Sequence, residues 1–507
     1  MTVTAFRVQN FMGFEDSGWI ELRPITLLFG RNSSGKSAFI RALLLLGQSL
    51  SSEPDGGALL FVKDDGYDFG SYHEIVRDHI GDRDISFWFK LRFEESKGNS
   101  GNNWFSKRAL DGVNHFTVPA HIEPQYRPVT QTVTVRLILG FDNERWTHLK
   151  ALDILDKEGN IILRTSRYNP DHGYKNPWRF ESDYFDPGNP DGSPTDIWSS
   201  IEMFTKNGFL PNIRLSEGAL NRPHEAEYEE DEIEESPDLG MDFQNAWLIL
   251  RGIRNSVRRL LVDSTNYLGP LRSAPQRFYY VAGQSVGSLE RGKYFVRNLV
   301  KADASSLEAI NQWLKASGTS CQLQLQPLDE RKTLYELRLQ ELSEDHSIKV
   351  SANIREVGFG ITQMLPIITQ AVLAQPGDML IIEQPELHLH PRAQTELGNL
   401  FIAIAQSGVN CIIETHSEHL LLRLQKQIAK TSVGDFDAAI PGQMLLPGQV
   451  GVYFVHRSDT STATQIEIGP FGDLLSTPIG FKDFFSDDML ETAERMRARL
   501  GQRGKPN

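Results

Sequence analysis

The stretch Ile25-Thr26-Leu27-Leu28-Phe29-Gly30-Arg31-Asn32-Ser33-Ser34-Gly35-Lys36-Ser37-Ala38 decides the fold. Its first five residues form a short apolar run of the kind that makes a buried strand, and Gly30 ends it. Gly30 to Ser37 match G-x-x-x-x-G-K-[ST] in full, and Ala38-Phe39-Ile40-Arg41-Ala42-Leu43-Leu44-Leu45-Leu46 has the length and propensity of a buried helix. The strand-loop-helix context gives the pattern its meaning. Glycines let main-chain N–H groups turn inward around phosphate oxygens, and the helix N-terminus adds unpaired donors and positive dipole. Gly30, Asn32, Ser33, Ser34, Gly35, Lys36, Ser37 and Ala38 are therefore the candidate ATP-binding residues. Lys36 is expected to reach the β- and γ-phosphates, and Ser37 to ligate Mg²⁺.

Such a loop needs a carboxylate on the metal side, delivered from the end of a neighbouring buried strand. Met379-Leu380-Ile381-Ile382-Glu383-Gln384-Pro385-Glu386 runs from apolar to acidic and places Glu383 at the strand end as the expected Mg²⁺ ligand. Pro391, a few residues on, suits the first turn of a new helix. A second apolar run, Cys411-Ile412-Ile413-Glu414, ends at Thr415-His416-Ser417. Its place beside the carboxylate strand makes His416 a candidate sensor of the γ-phosphate.

Around these motifs the chain has 507 residues, enough for two or three domains, with 40% hydrophobic content to build a large core. A net charge of −14 argues against a surface that coats itself with nucleic acid and leaves only local basic patches open. Much acidity sits in residues 224–238, which read as a solvated loop. Cys321 and Cys411 give no disulfide framework, and no CxxC or CxxH cluster suggests zinc. The N-terminus lacks the pattern of a secretory signal and the densest apolar run, Leu43 to Leu46, is too short for a bilayer, so no membrane role and a cytoplasmic location are expected.

The coarse organisation is an N-terminal lobe over 1–98, an insertion over 99–330, a C-terminal lobe over 331–460 and a tail over 461–507. Ile85, Phe87, Phe89, Leu91 and Phe93, and later Val133, Val135, Leu137 and Leu139, alternate with polar or amphipathic residues as strands do. From about 99 to 211 turn signals such as Asn189-Pro190 and Asp191-Gly192 point to an irregular insertion. A helix from about Gln244 to Leu261 puts Trp247, Leu250, Val257 and Leu261 near one face. Its arginines read as solvated charge rather than as a nucleic-acid contact.

Taken together these stretches resemble the SMC-like branch of ABC ATPases, and within it the stand-alone AAA15/AAA21 proteins that end in a DUF3696 domain, relatives of the OLD-family ATPase modules. The resemblance rests on Phe6 to Phe11 with the P-loop, Tyr267-Leu268-Gly269-Pro270-Leu271-Arg272, Val357 to Gln363, Ile382 to Pro391 and Glu414 to Ser417, with a plausible tail motif at Gly469 to Asp473. It implies an α/β P-loop NTPase fold with an ABC-type mixed sheet and a helical subdomain, plus an irregular α+β insertion. It also implies that Gly358, Gly360, Thr362 and Gln363 form a signature segment. Such a segment opens a helix toward the γ-phosphate held by a second copy, so that two ATPs are buried in a head-to-head dimer.

One departure matters. In the family the residue after the metal-side carboxylate is normally the glutamate that polarises the attacking water, and here it is Gln384. A glutamine amide orients water but cannot accept its proton. Glu386 or His416 then takes that role, or hydrolysis is slow; slow turnover with Glu386 contributing is the expectation.

The family relation implies an ATP-gated switch acting on a separate effector such as a nuclease, as in two-gene anti-phage systems of the Septu and PARIS types. A self-contained OLD-like nuclease needs a glutamate and a spaced DxD for two metals, and after Val455 only Asp487-Asp488 offers an acidic pair. A DNA clamp of RecF type needs a basic face, for which the arginines of the 244–261 helix and Arg495, Arg497, Arg499 and Arg503 are the candidates.

Overall fold

The computed structural model describes residues 2–51, 57–63, 66–92, 132–141, 147–167, 178–181, 201–204, 210, 212–215, 241–272, 274–281, 295–319, 321–343, 348–437 and 442–481. The acidic stretch 224–238, Asp487-Asp488 and the tail arginines lie outside these residues. The chain divides into two compact units, each discontinuous in sequence: Met1–Met12 with Ala42–Val262, and Gly13–Arg41 with Asp263–Asn507.

The first unit holds an antiparallel meander of Thr2–Phe11, Ile85–Arg92, Thr132–Phe141, Thr147–Leu155, Ile161–Arg167 and Trp178–Glu181. Period-2 alternation builds it: Phe87 faces Leu137 and Phe89 faces Val135 in register, and all four are buried. Phe6, Phe11 and Phe87 cluster with ring centroids 6.2 and 5.9 Å apart. On the other face Arg7, Trp88 and Arg136 lie abreast, the two guanidinium carbons 5.3 and 4.7 Å from the indole centroid. The first described part of the expected insertion is regular sheet, because the 132–141 strand pairs with 85–92 along its length. The arginine-bearing helix runs Met241–Arg258, buries Ile249, Leu250, Ile253 and Val257, and ends in a π turn. Arg258 is partly used structurally, donating to the Leu50 carbonyl at 2.9 Å.

The second unit is the α/β part. Thr265–Leu268, Met379–Glu383, Asn410–Glu414, Ile25–Phe29 and Val450–Arg457 are parallel neighbours in that order, and Ser461–Ile466 adds antiparallel to the last. Every residue of Ile25–Phe29 and Met379–Glu383 is buried, which is why both read as continuous apolar runs. Helices Phe359–Leu373, Pro391–Gln406 and Glu418–Ser432 contribute to the same core. Pro391 opens its helix as expected, and Ser417 caps the next by accepting from the Leu420 N–H. No helix among the described residues is long and apolar enough to cross a membrane.

Residues from the expected tail join this core. The Phe481 ring stands edge-on to Phe29 and Phe454 at 6.4 and 5.3 Å, fully buried. Phe29 is the last residue before the phosphate loop. Phe481→Ala is expected to lower stability by about 3–5 kcal/mol in chemical denaturation; a loss under about 1 kcal/mol would show that this edge-on packing contributes little.

Candidate functional site

Two glycines in the phosphate loop are dictated by close approach. A Cβ on Gly30, at φ +152°, would lie 2.1 Å from the Val455 carbonyl oxygen, and one on Gly35, at φ +113°, would lie 2.7 Å from Ser461 Oγ. Ser33 also adopts a left-handed φ of +61°, and with Asn32 it is exposed. Lys36 begins the helix Lys36–Ser51 and is only 3% exposed. Its Nζ donates to the main-chain oxygens of Gly30 at 2.8 Å and Arg31 at 3.0 Å. Ala38 is buried, its N–H donating to Gly35. Ser34 Oγ is buried without a hydrogen-bond partner. A lysine resting on its own loop's carbonyls and an unused buried hydroxyl are groups a phosphate can engage, so the residues present fit one.

The strand order determines which carboxylate reaches this loop. Asn410–Glu414 lies between the carboxylate strand and the P-loop strand, with Glu414 paired to Glu383 on one side and Leu28 on the other. Glu414 Oε2 accepts the Ser37 hydroxyl at 2.9 Å, and its Oε1 is 3.8 Å from Lys36 Nζ. Glu383 instead accepts the Tyr267 phenol at 2.8 Å. Glu386 accepts from the Thr415 hydroxyl at 2.8 Å and the His416 N–H at 2.6 Å, which joins the two loops that follow the carboxylate strand and the His416 strand. Gln384 sits in a left-handed turn at φ +46°, its N–H donating 2.7 Å to the Glu414 carbonyl. The structure therefore brings together Lys36, Ser37, Glu383, Gln384, Glu386 and His416.

Sequence reasoning assigned no role to Glu414, although the signal that singled out Glu383, an acid ending an apolar run, applies to it equally. Tyr267 and Arg272, quoted only for resemblance, turn out to hold the Glu383 end. Arg272 Nη2 donates to the carbonyls of Glu383 at 3.0 Å and Gln384 at 3.4 Å, while its Nε and Nη1 are buried without a partner.

Burial governs the electrostatics. It pushes the Glu383 carboxyl up to about 7, aided by the Glu414 charge, and raises Glu386 and Glu414 as well. It lowers Lys36 against the opposing pull of Glu414, Glu386 and Glu383, and draws Arg272 down to about 10. His416 is lowered by burial and then by Lys36, which favours the neutral imidazole. Lys36 can meet a phosphate, and three buried carboxylates offset only in part by Lys36, Arg41 and Arg272 fit a divalent cation beside it.

The expected signature segment opens the helix Phe359–Leu373 with Gly358 as its N-cap, exposed and with nothing within 4 Å of a Cβ placed there. Gly360 has a different reason to be glycine: a Cβ would lie 2.9 Å from the His388 carbonyl oxygen. Thr362 and Gln363, a turn further on, are buried, so the surface offered by this segment is its Gly358 end.

Residues 175–423 match the family model described as "AAA domain, putative AbiEii toxin, Type IV TA system". The chain is 26% identical over 149 residues to the Old nuclease of Escherichia phage P2, covering 26% of this chain and 25% of that protein. It thus spans about a quarter of the length of that curated relative. Among solved structures it is similar to the SMC head domain from Thermotoga maritima, at 11% identity and a TM-score of 0.35 over 92% of this chain and 100% of that one. It is also similar to a Smc head with an extended coiled coil bound to the C-terminal domain of ScpA from Pyrococcus furiosus, at 8% identity and a TM-score of 0.36 over 98% and 99%. Likenesses that loose carry no weight for fold or function.

The raised Glu383 carboxyl yields a pH prediction. Raised from 4.5 to about 7, it binds its proton more tightly in the fold than in the unfolded chain, so its contribution is complete below 4.5 and lost as pH rises through 7. In EDTA and without nucleotide, Glu383→Gln is expected to raise Tm over wild type at about pH 8 and to lose that advantage near pH 4.5; equal Tm differences at both would contradict it. The phosphate loop at the end of Ile25–Phe29, the carboxylate strand one strand removed from it and the matched family model together make this chain similar to ATPases of the SMC-like, OLD-related ABC type.

Proposed function

We propose that this ATPase is a nucleotide-gated dimerising switch with slow turnover that controls a separate effector protein, in bacterial anti-phage defence. The observation that carries the reading is the exposed, uncapped Gly358 end of the Phe359–Leu373 helix, in the same compact unit as the phosphate loop. A helix N-terminus open to solvent is half of an anion site, and a second copy's γ-phosphate completes it. ATP then closes the dimer, and hydrolysis removes the shared phosphate and releases it.

Within each site Gly30 to Ala38 hold the phosphates, Ser37 and Glu383 stand on the Mg²⁺ side, and Glu386 with His416 handles the attacking water. A divalent cation held by Ser37 and Glu383 would supply positive charge to offset that of the phosphates. Gln384 holds a water without taking its proton, which supports slow turnover and a long-lived closed state. The toxin named in the matched family's description and the phage origin of the Old nuclease support a setting in phage–host conflict.

Lys36→Ala is expected to weaken ATP binding at least about tenfold, read by fluorescent-nucleotide titration. Unchanged affinity would remove the phosphate loop from the site. Gly358→Glu should leave ATP affinity near wild type while abolishing an ATP-dependent monomer-to-dimer shift in sedimentation velocity, because the new carboxylate faces the partner's phosphate. ATP-dependent dimers that persist in this variant would contradict the composite site.

A further inference from the structure

Three glutamates gather beside the phosphate loop, yet only one touches it. Glu414 contacts both functional side chains of the loop, the Ser37 hydroxyl at 2.9 Å and Lys36 Nζ at 3.8 Å. Its strand is hydrogen-bonded directly to the P-loop strand, whereas the strand of Glu383 is one place further out and Glu383 is engaged by Tyr267. The contact is built rather than incidental: the Glu414 side chain is 4% exposed and its carbonyl is fixed by the Gln384 N–H.

Two consequences follow from chemistry. A carboxylate that accepts the serine hydroxyl's hydrogen bond leaves the serine lone pairs facing outward, the orientation a cation needs from that hydroxyl. A buried carboxylate next to the seat of a triphosphate also repels it unless positive charge lies between them. Lys36, with Arg41 adding a weaker pull on Glu414, leaves little positive charge for several phosphate oxygens.

We propose that Glu414 is the carboxylate that orients Ser37 toward the divalent cation and makes the site select the cation–nucleotide complex over free nucleotide. The proposal rests on the phosphate-loop reading and adds a cation-selecting residue to it. Glu414 is then a positioning and specificity residue, and Glu383 supports the outer side of the same site.

The test is equilibrium binding of ATP to the full chain, once with Mg²⁺ and once in EDTA, for wild type, Glu414→Gln and Glu383→Gln, with Mn²⁺ binding by electron paramagnetic resonance in the presence of ADP as a second readout. Glu414→Gln is expected to weaken binding at least about tenfold in Mg²⁺ while leaving it unchanged or tighter in EDTA, and to weaken Mn²⁺ binding in parallel. Glu414→Asp, which keeps the charge, should recover part of the Mg²⁺ preference and guards against misfolding of the amide variant. Equal losses in both buffers would overturn the proposal by assigning Glu414 a merely structural role. A preference that collapses in Glu383→Gln but survives in Glu414→Gln would overturn it in favour of Glu383. Absence of ATP binding by wild type in either buffer would overturn the phosphate-loop reading, and this proposal with it.

Discussion

The α/β unit is organised around a buried ammonium. Lys36 is nearly sealed from solvent, held by two main-chain oxygens of its own loop and surrounded by the charges of Glu414, Glu386 and Glu383. A lone buried lysine is costly, and so is a cluster of buried carboxylates. Each offsets part of the other's cost, and the remainder makes the site receptive to phosphate and a divalent cation. The three carboxylates arrive there because two parallel strands end level with one another, and the nearer of them adjoins the strand that carries the loop.

Much of this could be read from the chain. The phosphate loop is a contiguous pattern, and its glycines turn out to be demanded by the close approach of Val455 and Ser461, residues no local reading could supply. Strand ends were legible as apolar runs that stop at acids. The lateral order of those strands was not, because pairing between residues hundreds apart leaves no periodic trace. That is why Glu383 was singled out and Glu414 passed over. The same blindness to long-range contact explains Gly360, whose missing side chain makes room for the His388 carbonyl, and the burial of Thr362 and Gln363. In the meander, alternation revealed the strands, but the stacking of Arg7 and Arg136 on Trp88 depends on a register set by three strands at once.

Gln384 gives the account its functional character. It occupies a left-handed turn tied to the Glu414 carbonyl and lies under the Arg272 guanidinium, so its backbone is held firmly while its side chain lacks a basic oxygen. In the proposed reading the site binds firmly, turns over slowly and spends most of its cycle closed, which suits a switch more than a metabolic catalyst. Glu386 is the remaining carboxylate near the reacting end, and its bonds to Thr415 and His416 make it part of the same rigid frame.

The most direct measurement is an experimental structure of the full chain with a non-hydrolysable ATP analogue and Mg²⁺. The account predicts the phosphates against the main-chain N–H groups of residues 32–37, the cation between Ser37 and the Glu414–Glu383 pair, and the Gly358 helix end of a second copy at the γ-phosphate. Nucleotide bound away from Lys36, or a γ-phosphate that no second copy approaches, would contradict it.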